Sequence, residues 1–206
     1  KAGKIQLKHF GKIGFSRKDS SPANLLTAAD LESQKAILKI IRTHFPDHDY
    51  IAEEKQSRRT GSDYLWIIDP LDGTTNYAHG YPAFCVSIGL LKNGKPWLAG
   101  VYDPFHDECF LAQAGRGARL NGKTIRVSSP RKLSNSLLIT GFPYDRDLHS
   151  HFYVEHYRVF LTKCHDIRRS GTAALDMAWV AAGRADGFWE FKLKPWDVAA
   201  GWLLVK

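Results

Sequence analysis

Two aspartates, Asp69 and Asp72, stand three residues apart where an apolar run ends. Such a run predicts a strand, so both carboxylates are expected at one rim of a sheet. Pro70 fixes the turn between them and removes a hydrogen-bond donor, and Leu71 is expected to expose its carbonyl. Two carboxylates and a carbonyl are the hard oxygen ligands that Mg²⁺ selects. The turn therefore predicts a divalent-cation site.

The next two residues, Gly73 and Thr74, predict a phosphate site beside the cation. Glycine lets the backbone approach a ligand closely, and a helix that begins near Thr74 would direct its free N–H groups at an anion. The alternative is an ordinary Asp-Gly turn closed by a side-chain hydrogen bond. The Asp-x-x-Asp-Gly pattern is short, and by itself it does not decide between the two.

Three further acids could complete the site, although each has a plain structural alternative. Glu53 ends a short apolar strand, where a solvated Glu-Glu pair is the alternative. Asp197 follows Pro195-Trp196 at the start of a predicted helix, and Asp30 precedes another helical pattern. A plain helix cap is the alternative for both of them. The metal site is therefore predicted by all of these acids taken together, and no single acid predicts it alone.

Composition places the 206 residues among globular proteins, with 44% hydrophobic and 24% charged residues. No apolar run approaches the roughly 18 residues of a membrane span. The three cysteines are widely spaced, which is typical of reduced thiols in a cytoplasmic protein. The formal charge of +8 fits either nucleic-acid binding or attraction of a small anionic substrate. Because the basic residues are scattered, a solvated surface is the favoured interpretation.

Strands crowded into the middle of the chain and flanked by helices predict layered α and β structure. Apolar stripes and caps predict helices at 25–45, 151–164 and 171–183, and a last one that begins at Val198 with Asp197 as its cap. The first of these is expected to be capped by Thr27 or Asp30, and its expected inward stripe is Leu31, Ile37, Leu38, Ile41 and Phe45. Strands are predicted at 50–52, 64–68, 84–91, 97–102, 108–112, 118–127, 137–140 and 185–191. Residues 1–18 carry little helix signal, and 55–63 is expected to be a polar loop.

Six segments together resemble the inositol monophosphatase family. They run in the family's order over almost the whole chain: 25–30, 51–54, 66–76, 117–128, 168–190 and 195–201. The resemblance implies an α+β fold, a layered α-β-α-β-α sandwich, in a single catalytic domain over 1–206 with two halves near 1–130 and 131–206. Family members extend further at both ends, so the chain is expected to be incomplete there.

The resemblance also implies a magnesium-dependent phosphomonoesterase with two or three bound Mg²⁺ ions. Glu53, Asp69 and the Leu71 carbonyl would hold the first ion, and Asp69, Asp72 and Asp197 the second. Thr74, Asp30 and Glu53 would form the catalytic set that orients or deprotonates the attacking water. The N–H groups of Gly73 and Thr74 would hold the phosphate. The hydroxyls of the substrate alcohol would face Asp72, Ala173, Glu190 and Asp197.

Several substrates and one unrelated role stay open. Myo-inositol 1-phosphate is favoured, because Glu190 would accept hydrogen bonds from hydroxyls and repel a second phosphate. Fructose 1,6-bisphosphate and 3′-phosphoadenosine 5′-phosphate are the alternatives within the superfamily. A regulator associated with RNA or the transcription machinery is the alternative from another class. The resemblance further implies a lithium-sensitive, cytoplasmic homodimer with no membrane association.

Overall fold

The computed structural model describes residues 1–12, 14–18 and 25–206. Its helices are α1 (Ala2–His9), α2 (Ala28–His44), α3 (Thr74–Ala78), α4 (Arg146–Leu161), α5 (Ala173–Ala181) and α6 (Pro195–Val205). Its strands are β1 (Phe15–Arg17), β2 (Leu25–Thr27), β3 (Asp49–Ala52), β4 (Gln56–Arg58), β5 (Tyr64–Asp72), β6 (Cys85–Lys92), β7 (Lys95–Asp103), β8 (Glu108–Gln113), β9 (Gly117–Leu120), β10 (Lys123–Thr124), β11 (Leu137–Thr140), β12 (Asp166–Arg168) and β13 (Gly187–Trp189). A single 3₁₀ turn covers Leu133–Asn135 in this part of the chain.

The large sheet has eight strands in the order β10-β9-β8-β7-β6-β5-β3-β4. Only β3 and β5 run parallel in it, and the other neighbours are antiparallel. A smaller, fully parallel sheet has the order β12-β11-β13, and β1 pairs with β2 in a separate ribbon. The predicted hairpin turns at Asn93-Gly94 and Asn121-Gly122 are confirmed, and all four of these residues have positive φ.

Helices cover both faces of the large sheet. On one face, Ile37, Leu38 and Ile41 of α2 pack against Ile68 and Val86. On the other face, α5 and α6 lie over β6, β7 and β8. Helix α5 also contacts the small sheet, and α4 lies against β12. The layers therefore follow the order α-β-α-β-α, and the predicted α+β sandwich is confirmed. No helix in the described residues combines the length and apolar composition that would let it cross a bilayer.

Several expected elements were wrong in place or extent. Residues 2–9 form a helix where none was expected, and the loop at 55–63 contains strand β4. Two members of the expected inward stripe, Leu31 and Phe45, are 50% and 40% exposed. The buried face of α2 runs through Asp30, Gln34, Ile37, Leu38 and Ile41, which leaves Leu31 beside it, and Phe45 follows the end of the helix. Helix α4 begins five residues earlier than predicted, and β13 is limited to three residues.

Of the predicted helix caps, Thr27 is confirmed, and the two aspartates need correction. Thr27 is the cap of α2, whereas Asp30 lies in the first turn and accepts a hydrogen bond from the Thr27 N–H at 2.8 Å. Helix α6 begins at Pro195, so Asp197 is not its cap but its third residue. In both helices the acid reaches back to the residue before the helix, which is the acidic half of a capping box. Both aspartates are therefore held at a helix start by the backbone.

Candidate active site

The two aspartates of β5 lie on either side of an irregularity in the strand. Asp69 pairs with Ser87 and Asp72 with Cys85, so three steps along β5 match two steps along β6. One extra residue in a strand is a β-bulge. Residues i and i+3 of a regular strand point to opposite faces, and the extra residue cancels that alternation. The bulge therefore allows both carboxylates to line one pocket, as they do here.

Glu53 is carried to the same pocket by the neighbouring strand. It follows β3, which runs parallel to β5, and its N–H donates to the Ile68 carbonyl at 3.1 Å. The next residue, Glu54, is fixed by Gln34, whose side-chain oxygen accepts the Glu54 N–H at 3.1 Å. The parallel pairing explains why residues 53 and 69 meet, because the carboxyl ends of both strands open at one edge.

Lys18 contacts two of these acids, and no local sequence pattern indicates that it would. Its Nζ lies 2.8 Å from Oε1 of Glu53 and 2.5 Å from Oε1 of Glu54. Burial alone would lower the pKa of Lys18, but the charges and hydrogen bonds of the two glutamates outweigh it and raise that pKa. The second oxygen of Glu53, Oε2, is buried without a hydrogen-bond partner in the described structure.

Asp197 approaches from the opposite side, at the start of α6. Its carboxylate accepts the Lys194 N–H at 2.6 Å, which fixes the side chain over the helix start. Burial, followed by the charge of Asp72, raises the pKa of Asp197 to about 7. The helix itself is packed tightly on the sheet, because a Cβ at Gly89 would lie 2.8 Å from the Cβ of Ala199. The position of Asp197 therefore depends on a glycine in β6.

The charges of four carboxylates act on one another in this pocket. Asp69 is only 2% exposed, and burial together with the charges of Glu53, Asp72 and Asp197 raises its pKa well above the usual range. Burial raises the pKa of Asp72 to about 6, although hydrogen bonds from Thr172 and Ala174, each 2.7 Å long, oppose that rise. Uncompensated carboxylates so close together repel one another, so the site favours a cation.

Thr74 and Asp30 form a buried pair on the inner side of the bulge. The Thr74 hydroxyl lies 3.1 Å from Oδ1 of Asp30 and 3.2 Å from the Leu71 carbonyl. Its single proton can serve only one of these acceptors at a time. Burial raises the pKa of Asp30, while hydrogen bonds from Thr27 and the charge of Lys18 act against the rise. A Thr74 hydroxyl that donates to Asp30 leaves the lone pairs of its oxygen free to accept a hydrogen bond.

Gly73 has φ +91°, in the left-handed region, and precedes helix α3. A Cβ there would also lie 2.9 Å from the Ala83 carbonyl oxygen. Both the conformation and the space therefore require glycine at this position.

The alcohol side of the pocket is formed by Ala173 and Glu190. Ala173 begins α5 and Glu190 follows β13. Burial, and next the charge of Asp72, raises the pKa of Glu190 to about 7, while Arg169 acts to lower it. All of the predicted site residues except Asp30 line one cavity of about 810 Å³. Asp30 lies behind the cavity wall and reaches it through Thr74.

Lining residues that sequence reasoning missed surround the predicted ones. They include Lys18, Tyr144, Arg169, Lys194 and Trp196. Arg169 lies within segment 168–190, one of the six segments that resemble the family. That resemblance was the one feature of the sequence that could have indicated Arg169 as a site residue. Thr172, which orients Asp72, lies in the same segment. For Lys18 and Tyr144 no local pattern exists, because only the fold brings them to the pocket.

The residues present fit a hard divalent cation. The donors are carboxylates and a carbonyl, with no soft ligand among them, and the buried Oε2 of Glu53 lacks a partner in the described part of the chain. Within that part, no group of three or more His, Cys, Asp or Glu side chains lies close enough together to hold a metal ion as placed.

Comparison with known proteins identifies the family. The family model described as "Inositol monophosphatase family" matches residues 1–206. The chain belongs to the inositol monophosphatase family. It is 44% identical over 200 residues to the inositol-1-monophosphatase of Synechocystis, which covers 96% of this chain and 69% of that protein. It is 42% identical over 210 residues to the Nus factor SuhB of Escherichia coli K12, which covers 100% of this chain and 78% of that protein.

Solved structures of the family share the fold. The inositol monophosphatase of Anabaena superimposes with a TM-score of 0.88 at 48% identity, over 99% of this chain and 75% of that one. An "IMPase/NADP phosphatase complexed with Mg2+ and phosphate" superimposes with a TM-score of 0.84 at 27% identity, over 98% of this chain and 75% of that one. The relatives thus include proteins named as phosphatases and proteins named as Nus factors.

Proposed function

We propose that the chain is a Mg²⁺-dependent phosphomonoesterase that hydrolyses a polyol monophosphate, with myo-inositol 1-phosphate as the favoured substrate. The observation that carries the proposal is the convergence of Glu53, Asp69, Asp72 and Asp197 on one pocket beside Thr74. Membership of the inositol monophosphatase family supports it. So does the structural neighbour that was solved with Mg²⁺ and phosphate.

Five groups would hold the metal. Glu53, Asp69 and the Leu71 carbonyl would bind one ion, and Asp69, Asp72 and Asp197 a second. When bound, Mg²⁺ supplies Lewis acidity, which activates a water and stabilises charge on the phosphate oxygens. Holding these ions would also remove the repulsion among the carboxylates, so metal binding is expected to stabilise the fold.

Thr74 and Asp30 would orient the attacking water and accept its proton. When the Thr74 hydroxyl donates to Asp30, 3.1 Å away, rather than to the Leu71 carbonyl, its oxygen can accept a hydrogen bond from a water in the pocket. This fixes the water's orientation and gives its proton a path toward a buried carboxylate. The backbone N–H groups of Gly73 and Thr74 would hold the phosphate, and direct in-line attack requires no covalent nucleophile of the protein.

Glu190, Ala173, Asp72 and Asp197 would face the hydroxyls of the alcohol. Glu190 favours a neutral polyol, since a second phosphate beside it would be repelled. A second function, association with the transcription machinery, is favoured by one observation: similar proteins, such as that of E. coli, are named Nus factor SuhB. Lithium sensitivity, a homodimer and a cytoplasmic location, which the resemblance implied, stay predictions.

The test is phosphate release by the purified protein with Mg²⁺ and with EDTA. Myo-inositol 1-phosphate, fructose 1,6-bisphosphate and 3′-phosphoadenosine 5′-phosphate are compared. Asp72→Asn is expected to abolish turnover, while Asp147→Asn, an exposed aspartate on α4 outside the pocket, retains it. Preference for another substrate would still support Mg²⁺-dependent hydrolysis, but it would contradict the proposal that the substrate is a polyol monophosphate. Absence of turnover with all three would refute the phosphatase and leave the transcription role in its place.

A further inference from the structure

Glu190 and Gly141 are neighbours at the carboxyl ends of two parallel strands. Strand β11 pairs with β13, and Thr140 is opposite Trp189. The Thr140 hydroxyl donates to the Trp189 carbonyl at 2.8 Å, which fixes this register. The next residue on each strand is therefore Gly141 on one and Glu190 on the other. Glu190 lines the 810 Å³ cavity, and so does Phe142, the residue that follows Gly141.

Gly141 leaves a notch that the Glu190 carboxylate fills. A Cβ built on Gly141 would overlap all three atoms of that carboxylate. The φ of Gly141 is not in the left-handed region, so its backbone conformation does not require glycine. Space for Glu190 is thus the reason for a glycine that the structure shows. An added methyl group would displace the end of a flexible side chain rather than backbone, so the fold is expected to survive it.

Packing decides where the Glu190 carboxylate lies. In the part of the chain that the structure describes, no group donates a hydrogen bond to it. Three charges act on it: Asp72 and Asp197 disfavour its anionic form, and Arg169 favours it. These charges set no unique position, whereas the notch at Gly141 does. A carboxylate whose oxygens are free can also accept hydrogen bonds from the hydroxyls of a ligand.

We propose that Gly141 is a positioning residue, which holds the Glu190 carboxylate where it accepts hydrogen bonds from the hydroxyls of a polyol monophosphate. This inference rests on the proposed function and refines its substrate class. Gly141 itself does not contact the substrate. It acts through Glu190, and so it affects recognition of the alcohol and not the attack on phosphorus.

The test compares Gly141→Ala with the unchanged protein on two phosphomonoesters. Myo-inositol 1-phosphate has a hydroxyl-rich alcohol, and p-nitrophenyl phosphate has none of these hydroxyls. Displacing the carboxylate should raise KM for the inositol ester about tenfold, the order of effect of a lost hydrogen bond to a charged group. The values of kcat for both esters, and KM for p-nitrophenyl phosphate, should stay within about twofold.

Two controls separate this role from a loss of fold. Gly100→Ala adds the same methyl group on β7, where it would meet only the end of Leu111 at 3.4 Å, and it should change neither substrate. In a Glu190→Ala background, Gly141→Ala should have no further effect, because its only route of action is gone. An unchanged KM, an equal loss on both esters, or an effect that persists without Glu190 would each overturn the proposal. An unchanged protein that cleaves neither ester would instead refute the proposed function, and the role of Gly141 with it.

Discussion

At the scale of single residues, the candidate site concentrates buried negative charge that the protein alone does not neutralise. Asp69 is 2% exposed, and its Oδ1 accepts a hydrogen bond from the Leu71 N–H at 3.0 Å. Lys18 contacts Glu53 and Glu54 but is not paired with Asp69. Stability and metal binding are therefore expected to oppose each other at this residue, as is common where function demands a strained arrangement.

Asp69→Asn should separate these two effects. The amide keeps the shape and the acceptor for the Leu71 N–H, yet removes a repelled charge. In EDTA at neutral pH, its free energy of unfolding should exceed that of the unchanged protein by about 1 kcal/mol. Mg²⁺-dependent turnover should fall about 100-fold or more, because a shared ligand is lost. Urea unfolding and phosphate release measure the two quantities. A variant that is less stable without metal would contradict the repulsion argument.

Asp176 is not itself a proposed metal ligand, although the charges of Asp72 and Glu190 act on it, and it offers a pH-dependent test. It is 1% exposed, its Oδ1 accepts a hydrogen bond from Ser170, and its Oδ2 has no partner in the described structure. Burial raises its pKa well above the ordinary 3.8, while Ser170 acts to lower it. The folded state therefore retains this proton to higher pH than the unfolded state does. Its contribution to stability is full below pH 3.8 and declines as the pH rises toward the folded pKa.

Asp176→Asn should remove that decline. The stability of the variant relative to the unchanged protein should increase from pH 4 to pH 8 by about 1 kcal/mol or more, because one pKa unit corresponds to about 1.4 kcal/mol. Urea unfolding at several pH values gives the difference, and Asp147→Asn, at an exposed position, serves as the control. A difference that is flat with pH would show that the burial of Asp176 does not shift its titration.

Sequence reasoning found the site residues that belong to motifs and missed those that only the fold assembles. Asp69 and Asp72 follow an apolar run, so their place at a strand end could be predicted. The bulge that turns both into one pocket could not, because it depends on pairing with β6. Lys18 is 35 residues from Glu53 in the chain, and nothing near Lys18 indicates such a partner.

At the scale of elements, helices were predictable where an apolar stripe marks them. Helix α1 was missed because the face that it buries consists of Ala2, Gly3 and Gln6 instead of large apolar residues. Gly3 fits against the ring of Tyr102, and the Gln6 side chain donates to the Pro70 carbonyl at 2.8 Å. Such contacts leave no hydrophobic periodicity in the sequence.

The seating of α6 on the large sheet leads to a prediction about Gly89. Gly89→Ala would bring a methyl group to 2.8 Å from the Cβ and 3.1 Å from the backbone carbon of Ala199, so α6 itself has to move. Overpacking of this kind should lower the free energy of unfolding by about 1–3 kcal/mol. Because Asp197 lies two residues away, the Mg²⁺ concentration for half-maximal activity should rise as well. Gly100→Ala is the matched control, and a variant with normal stability and metal dependence would show that α6 is not held by this contact.

At the scale of the whole molecule, the chain has a formal net charge of +8, whereas its candidate pocket contains at least four carboxylates. The local acids attract the cation, whereas the surplus of Lys and Arg attracts an anionic substrate from a distance. These two effects have different ranges, because exposed charges are screened over about 8–10 Å at physiological salt. The surface charge should therefore influence substrate capture more than the chemical step.

Salt dependence distinguishes the two contributions. For a phosphate monoester at saturating Mg²⁺, kcat/KM should fall about three- to tenfold between roughly 20 mM and 500 mM KCl, while kcat changes little. The double variant Arg116→Glu/Lys123→Glu lowers the formal charge from +8 to +4, since each exchange removes two charges at an exposed residue outside the pocket. Its kcat/KM should be lower at 20 mM salt, less dependent on salt, and equal to that of the unchanged protein at 500 mM. An identical salt profile for both proteins would show that the scattered cations do not guide the substrate, and that local groups such as Lys18 and Arg169 supply the attraction.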